Sequence, residues 1–230
     1  GGIVWLKIIG ADKKYINIYA LIYTVAPYFF MVGRFGLDCN LMLSTSTVFL
    51  ICLTLAIKYD KNLIYVFSGI AGGIVLYTYS LSYIVMIFFM LLFLVLLLFT
   101  RRLTIKKTLC LCIPMGIMAS PLILEQLINI FGIHTIRIWK FTFVNLGKYR
   151  IGELGIPDLK SIPAILKTVL FNDSLNYNTN SQFFTLYWVS IPFFAIGVAC
   201  GLVNFIKSIR ERKIYAGNIV FLWLIAEIIM

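Results

Sequence analysis

The sequence predicts an all-α integral membrane protein, a polytopic helical bundle with a long extracytoplasmic loop. Hydrophobic residues make up 61% of the 230 residues, charged residues make up only 13%, and the mean hydropathy is +0.97. Soluble domains are nearer half apolar and a quarter charged. Apolar runs recur along the chain, and its length leaves room for about six or seven spans of about 20 residues each. Basic clusters occupy alternate connections between these runs, as expected of helices that cross a bilayer.

The apolar runs define the predicted elements in chain order. They lie at 1–9, 15–32, 41–57, 63–78, 83–100, 108–124, 183–205 and from 216 onward. Prolines inside the runs 15–32 and 108–124 are compatible with membrane helices. The runs predict a transmembrane core over 1–124, an extracytoplasmic loop over 125–182 and further transmembrane helices over 183–230. The chain begins without Met and stops inside an apolar run, so we expect a piece of a longer protein.

Clusters of Lys and Arg give the predicted spans a sidedness. Short loops rich in these residues stay in the cytoplasm. The clusters hold twelve of the twenty Lys and Arg residues, and they fall on alternate connections: Lys13 and Lys14; Lys58 and Lys61; Arg101, Arg102, Lys106 and Lys107; Lys207, Arg210, Arg212 and Lys213. We therefore expect a multi-pass protein of the cell membrane, with a bacterial plasma membrane as the expected setting. The net charge of +11 follows from this topology, and no nucleic-acid partner is expected.

The predicted outer loop is too long to be only a connection. Ser161 suits the N-cap of a helix over 161–171, and Pro163 suits its first turn. The near-continuous apolarity of this segment predicts a helix that lies at the outer interface or packs on the bundle.

The polar segment 33–40 is the most informative feature on the predicted outer side. Arg34 and Asp38 are four residues apart, so on a helical turn they share a face and can pair. One interpretation is an interfacial ion pair, with Asp38 or Asn40 capping the helix that starts at Leu41. The other is a binding site, in which Asp38 orients a cation or a hydroxyl and Arg34 binds an anion such as phosphate. The residue types leave both interpretations open.

A second outer feature is the tyrosine-rich hinge that includes Tyr77 and Tyr79. Tyrosines at this depth are typical of an aromatic belt, and phenols beside an outer cavity can also donate to phosphate or sugar oxygens. Gly69, Gly72 and Gly73 in the preceding span predict a close approach between helices.

Several functional classes find no support in the sequence. It contains no Walker lysine loop, no G-x-S-x-G and no H-E-x-x-H. The single His134 and five cysteines without a C-x-x-C pair do not predict a zinc site. Glu227 is the one carboxylate deep in an apolar run, which does not favour an ion-coupled transporter.

The order of these motifs resembles the polytopic GT-C glycosyltransferases, in particular the bacterial relatives of protein O-mannosyltransferases and the lipid A aminoarabinose transferase (family 39-like). The first match is Arg34-Phe35-Gly36-Leu37-Asp38-Cys39-Asn40-Leu41, between two predicted spans. The second is the glycine-rich span 69–80, which ends at an outer Tyr-x-Tyr hinge, and the third is the loop segment 170–178.

The resemblance implies a GT-C-like core that moves a sugar from a polyprenyl-phosphate carrier to an acceptor on a glycan, a lipid or a protein at the outer face. Asp38 matches the family's second outer acid, which positions the donor or a divalent cation. Arg34 is expected near the carrier phosphate. Asn40, Tyr77 and Tyr79 are the other expected substrate-binding residues.

The family's principal catalytic acid follows its first span, so the resemblance implies that this acid and the acceptor base lie upstream of Gly1. Two alternatives remain open from the residues. A lipid-linked oligosaccharide polymerase or flippase also handles polyprenyl carriers and has large outer loops, and another polytopic transporter shares the apolar composition.

Overall fold

Helices make up most of the part of the chain that the structure, a computed structural model, describes. That part comprises residues 1–25, 39–79, 82–138, 140–144 and 190–229. One antiparallel hairpin accompanies the helices. The elements are α1 (Gly2–Ile8), α2 (Lys13–Val25), α3 (Cys39–Tyr59), α4 (Asn62–Leu76), α5 (Ser82–Phe99), α6 (Ile105–Phe131), β1 (Thr135–Ile138), β2 (Phe141–Val144), α7 (Ser190–Glu211) and α8 (Ala216–Ile229).

Four helices in the described residues are long and apolar enough to cross a membrane. They cover Leu41–Tyr59, Ser82–Phe99, Ile105–Phe131 and Pro192–Glu211. The described residues are thus mostly helical and consistent with the predicted membrane protein, with four candidate spans where six or seven were predicted for the whole chain. Helix α4 is one predicted span that falls short, because its 15 residues rise about 22 Å, less than the roughly 30 Å hydrocarbon core. The predicted span over 15–32 lies partly outside the described residues.

The segment after residue 124 differs from the predicted loop. Helix α6 continues past Leu124 to Phe131 and ends at Gly132, whose φ of 64° closes a C-terminal cap. The hairpin follows, with Thr135 paired to Val144 and Ile138 paired to Phe141. This hairpin is a departure from the all-helical prediction. The predicted helix over 161–171 lies outside the described residues.

Two prolines lie inside α6 without ending it. Pro121 has no N–H, so the carbonyl of Ile117 loses its usual helical partner. The Ser120 hydroxyl donates to that carbonyl at 2.8 Å. The local bond supports the continuous helix predicted to tolerate its prolines.

Aromatic side chains form the centre of the bundle and join α3, α5 and α8. Phe49 and Phe89 are fully buried with ring centroids 5.5 Å apart in an edge-on contact. Trp223 packs against both, at 6.1 Å from Phe49 and 5.2 Å from Phe89. Aromatic pairs in these arrangements contribute beyond the area that they bury, so the three rings fix three helices that are distant in sequence.

Glycines in α4 allow two neighbouring helices to approach closely. A β-carbon at Gly69 would overlap the carbonyl oxygen of Leu111, and one at Gly73 would overlap the side chain of Met118, both in α6. A β-carbon at Gly72 would meet Met115 of α6 and Phe49 of α3. The close approach predicted from the sequence is confirmed, and it is specific to glycine.

Replacing Gly69 by alanine is expected to lower the free energy of unfolding by about 1–3 kcal/mol, because the added methyl must push apart two packed helices. Gly116 is the matched control, since a β-carbon there meets nothing within 4 Å. Gly116→Ala should be neutral or slightly stabilising, because alanine favours a helix more than glycine does. Unfolding of both variants by SDS titration in mixed micelles measures the difference, and equal stabilities would contradict this packing.

Candidate functional site

Of the predicted outer segment 33–40, the structure describes only Cys39 and Asn40, together with the helices on either side. Arg34 and Asp38 lie outside the described residues. Asn40 lies in the first turn of α3, but its side chain is not described. Their predicted roles in donor, substrate or cation binding therefore remain predictions.

The directions of the first three helices place those flanking ends. Trp5 donates to the Thr54 hydroxyl at 2.9 Å, and Lys58 donates to the carbonyl of Ile8 at 2.6 Å. The residue numbers rise together, so α1 and α3 run in the same direction, and both end beside Lys58.

Helix α2 runs the opposite way to α1. Its Tyr19 lies against Gly2, at the beginning of α1, whereas α2 begins at Lys13, just after α1 ends. The end of α2 and the start of α3 thus lie away from Lys58. The connection that contains Arg34 and Asp38 joins these two helix ends.

The tyrosine hinge lies at the same end of the bundle. Tyr77 follows the last residue of α4, and its hydroxyl donates to the carbonyl of Met118 in α6 at 2.6 Å. The phenol proton is therefore committed to the protein, and the oxygen lone pairs remain available as acceptors. Tyr79 is partly buried and makes no side-chain hydrogen bond with the residues that the structure describes.

The basic connections gather at the opposite end. Three contacts join them. Lys58 binds the end of α1, Lys107 forms an ion pair with Asp60 at 2.6 Å, and the Arg102 guanidinium donates to the carbonyl of Arg212 at 3.2 Å. The common side predicted from the charge pattern is thus seen in the described helices.

A cleft of about 750 Å³ opens among these connections, and we call it the basic-end cleft. Five cationic side chains line it, drawn from all but one of the basic connections. They are Lys58, Arg101, Arg102, Lys107 and Lys213. One carboxylate, that of Asp60, is in the lining, and it is paired with Lys107. The cleft is therefore strongly electropositive.

Three residues in these connections have a left-handed backbone conformation. Asp60, Arg101 and Arg212 have φ values of 56°, 54° and 52°, in the left-handed region that costs an L-residue about 1–2 kcal/mol. Each follows a helix that ends at the cleft. The amide of Arg102 donates to the carbonyl of Leu97 at 3.0 Å, a bond that closes the helix end. Basic residues at these ends are also favoured by the helix dipole.

A polar pair lies beside the floor of the cleft. Asn218 donates through its amide nitrogen to the Ser208 hydroxyl at 2.5 Å, and both residues are fully buried. The amide oxygen of Asn218 has no partner among the described residues. The pair joins α7 to α8 just below Ala216 and Ile219, which line the cleft.

Tyr215 adds a phenol to the cleft wall. Its hydroxyl donates to the Glu211 carboxylate, and this hydrogen bond raises the pKa of Tyr215 above its ordinary value. The same bond holds Tyr215 next to the end of α7.

The predicted cation finds no ligand set in the described residues, where no group of three or more His, Cys, Asp and Glu side chains is arranged to hold a metal ion. Asp38, the residue predicted to position a cation, lies outside those residues. The test of a cation site therefore remains open at Asp38.

The sequence predicts the cations of the basic-end cleft as signals of topology and does not predict the cleft as a site. The overlooked signal is that clusters on one membrane side of a bundle must converge in space, together with the hydroxyls of Thr104 and Thr108 that accompany them.

Comparison of the chain with protein-family models, curated proteins and solved structures found no match in any of the three.

Replacing Tyr77 by phenylalanine is expected to lower the free energy of unfolding by about 1 kcal/mol, because the carbonyl of Met118 loses its interhelical donor. Tyr79→Phe is the control, since no side-chain hydrogen bond is lost among the described residues. Chemical unfolding in mixed micelles measures both. Equal effects of the two changes would show that the hinge bond does not contribute.

Replacing Ser208 by alanine is expected to cost about 1–3 kcal/mol, because it leaves the buried Asn218 amide nitrogen without an acceptor. The double change Ser208→Ala with Asn218→Leu should recover part of this loss, since it removes both polar partners. Chemical unfolding in mixed micelles compares the free energies of unfolding of the single and double variants. A double variant less stable than the single one would contradict the reasoning.

Proposed function

We propose that this membrane-embedded protein belongs to a glycosyltransferase that moves a sugar from a polyprenyl-phosphate donor to an acceptor at the outer face of the membrane. One observation carries the proposal: Arg34 and Asp38 occur in a short connection between helix ends that lie opposite the basic connections. An arginine and a carboxylate at that side suit a phosphate-linked sugar whose lipid tail stays in the bilayer.

The chemistry of phosphate departure assigns a role to each residue. As the bond between the sugar and the carrier phosphate breaks, negative charge grows on the phosphate oxygens, and a fixed cation stabilises that charge. The planar guanidinium of Arg34 suits this task because it can donate two parallel hydrogen bonds. Asp38 orients the donor or a divalent cation that shares the phosphate charge.

The start of α3 supports the same assignment. The structure describes α3 from Cys39 onward, next to Asp38 in the sequence, and the first amide groups of a helix together with its dipole favour an anion. Asn40 in the first turn adds a neutral hydrogen-bonding amide. The phosphate of a donor bound beside Arg34 would therefore also meet the positive end of a helix.

The hinge at Tyr77 and Tyr79 supplies acceptors for the sugar at the same end. Tyr77 is held against α6 by its bond to Met118, so its oxygen is positioned before a substrate binds. Preorganised groups of this kind contribute to catalysis because they need no rearrangement in the transition state.

Replacing Asp38 by asparagine in the full-length protein is expected to lower sugar transfer about 100-fold, as typical for loss of an electrostatic catalytic group. The measurement follows a radiolabelled sugar from polyprenyl phosphate into the acceptor fraction of membranes. Asp12→Asn is the matched control, since it removes an exposed carboxylate at the basic end and should leave transfer unchanged. Normal transfer by the Asp38 variant would overturn the proposal.

A further inference from the structure

We propose that the basic-end cleft binds the phosphate headgroup of an anionic phospholipid, whose acyl chains lie along the apolar surface beside it. The inference concerns the end opposite the proposed sugar-transfer site and is independent of that function. It rests on the charge of the cleft, on the helix end that opens into it and on the apolar residues around it.

The charge of the cleft is not neutralised within the described part of the chain. Asp60 is its one carboxylate and is already held by Lys107 at 2.6 Å. Arg101 has no carboxylate partner among the described residues, and Lys213 lies over the ring of Tyr215 at 5.5 Å. Lys213 also shares the nearby Glu211 carboxylate with Lys207, which lies 3.7 Å from it. Cations in excess over carboxylates around one cavity of about 750 Å³ attract an anion.

The start of α6 adds donors to the same cavity. Its N-cap residue Thr104 makes no side-chain capping bond, so the first amide groups of the helix lack a side-chain acceptor. Thr104, Lys107 and Thr108 all line the cleft. A phosphate can be bound there by backbone amides and the helix dipole together with the cations.

Apolar groups determine which kind of phosphate fits. The inner wall contains Leu94, Leu97 and Ile219. Beside the cationic connection between α5 and α6, Phe99 is 60% and Ile105 75% exposed. A free phosphate ion makes no use of these surfaces, whereas a phospholipid covers them with its acyl chains. Basic pockets between membrane helices on the cytoplasmic side bind anionic headgroups by this combination.

The test compares ligands and matched charge variants. The purified full-length protein in detergent micelles is titrated with phosphatidylglycerol, phosphatidylcholine or inorganic phosphate, and bound ligand is measured by native mass spectrometry. The charge variant is Arg101→Gln with Lys213→Gln. The control is Lys61→Gln with Lys106→Gln, which removes two cations of the same end that do not line the cleft.

We expect wild type and the control to bind phosphatidylglycerol alike, and the cleft variant to bind about tenfold more weakly. Phosphatidylcholine and inorganic phosphate should bind at least tenfold more weakly to wild type than phosphatidylglycerol does. Equal weakening by the control would overturn the site, because bulk charge would then explain the binding. Inorganic phosphate binding as tightly as the lipid would overturn the lipid as occupant.

A charge-conserving variant guards against loss of folding. Arg101→Lys with Lys213→Arg keeps both charges and should bind phosphatidylglycerol within about twofold of wild type. If the glutamine variant does not fold, the comparison of wild type with the three ligands still decides. Equal binding of phosphatidylcholine and phosphatidylglycerol by wild type would overturn the proposal.

Discussion

Close packing of side chains is the interaction on which this bundle depends, because lipid tails are as apolar as leucine and do not drive helices together. Phe49, Phe89 and Trp223 supply the contact that joins three helices far apart in sequence. The glycines of α4 supply the second contact, since they bring α4 against α6 at backbone distance. Both ends of the bundle are positioned by this centre. The Tyr77 bond to α6 and the convergence of the basic connections follow from helices whose separation and direction are already fixed.

Much of the fold could be predicted because apolar runs match the thickness of a bilayer and basic clusters flank them. Helices α3 and α5 match their predicted runs to within a few residues, and the glycines of α4 are confirmed as packing positions. The end of α6 could not be predicted in this way. Glu125 and Gln126 mark an exit from the apolar layer, but helical hydrogen bonds continue in water as well as in lipid. Hydropathy therefore predicts the apolar part of the helix and not the residue at which the helix ends. The hairpin has a local signal in the sequence, because apolar Ile136 and Ile138 alternate with polar Thr135 and Arg137, a period of two.

The two ends differ in how far the sequence could describe them. Arg34 and Asp38 are neighbours in the chain, so their spacing alone suggests a shared site, and the structure adds that their flanking helices end opposite the basic connections. The basic-end cleft joins residues as distant as Lys58 and Lys213. No local pattern brings these residues together, because their proximity depends on how the helices between them pack. A polarised molecule results, with proposed sugar chemistry at one end and an electropositive cavity at the other.

Glycine would occupy the left-handed positions of Arg101 and Arg212 at the smallest conformational cost. Arginine at these positions places a charge in the backbone turn that directly follows each helix end. During insertion, basic residues next to a span keep that flank on the side of synthesis. One residue at each position therefore combines a backbone turn after the helix with a positive charge beside a candidate span. A change to glycine would ease the turn and remove that charge at the same time.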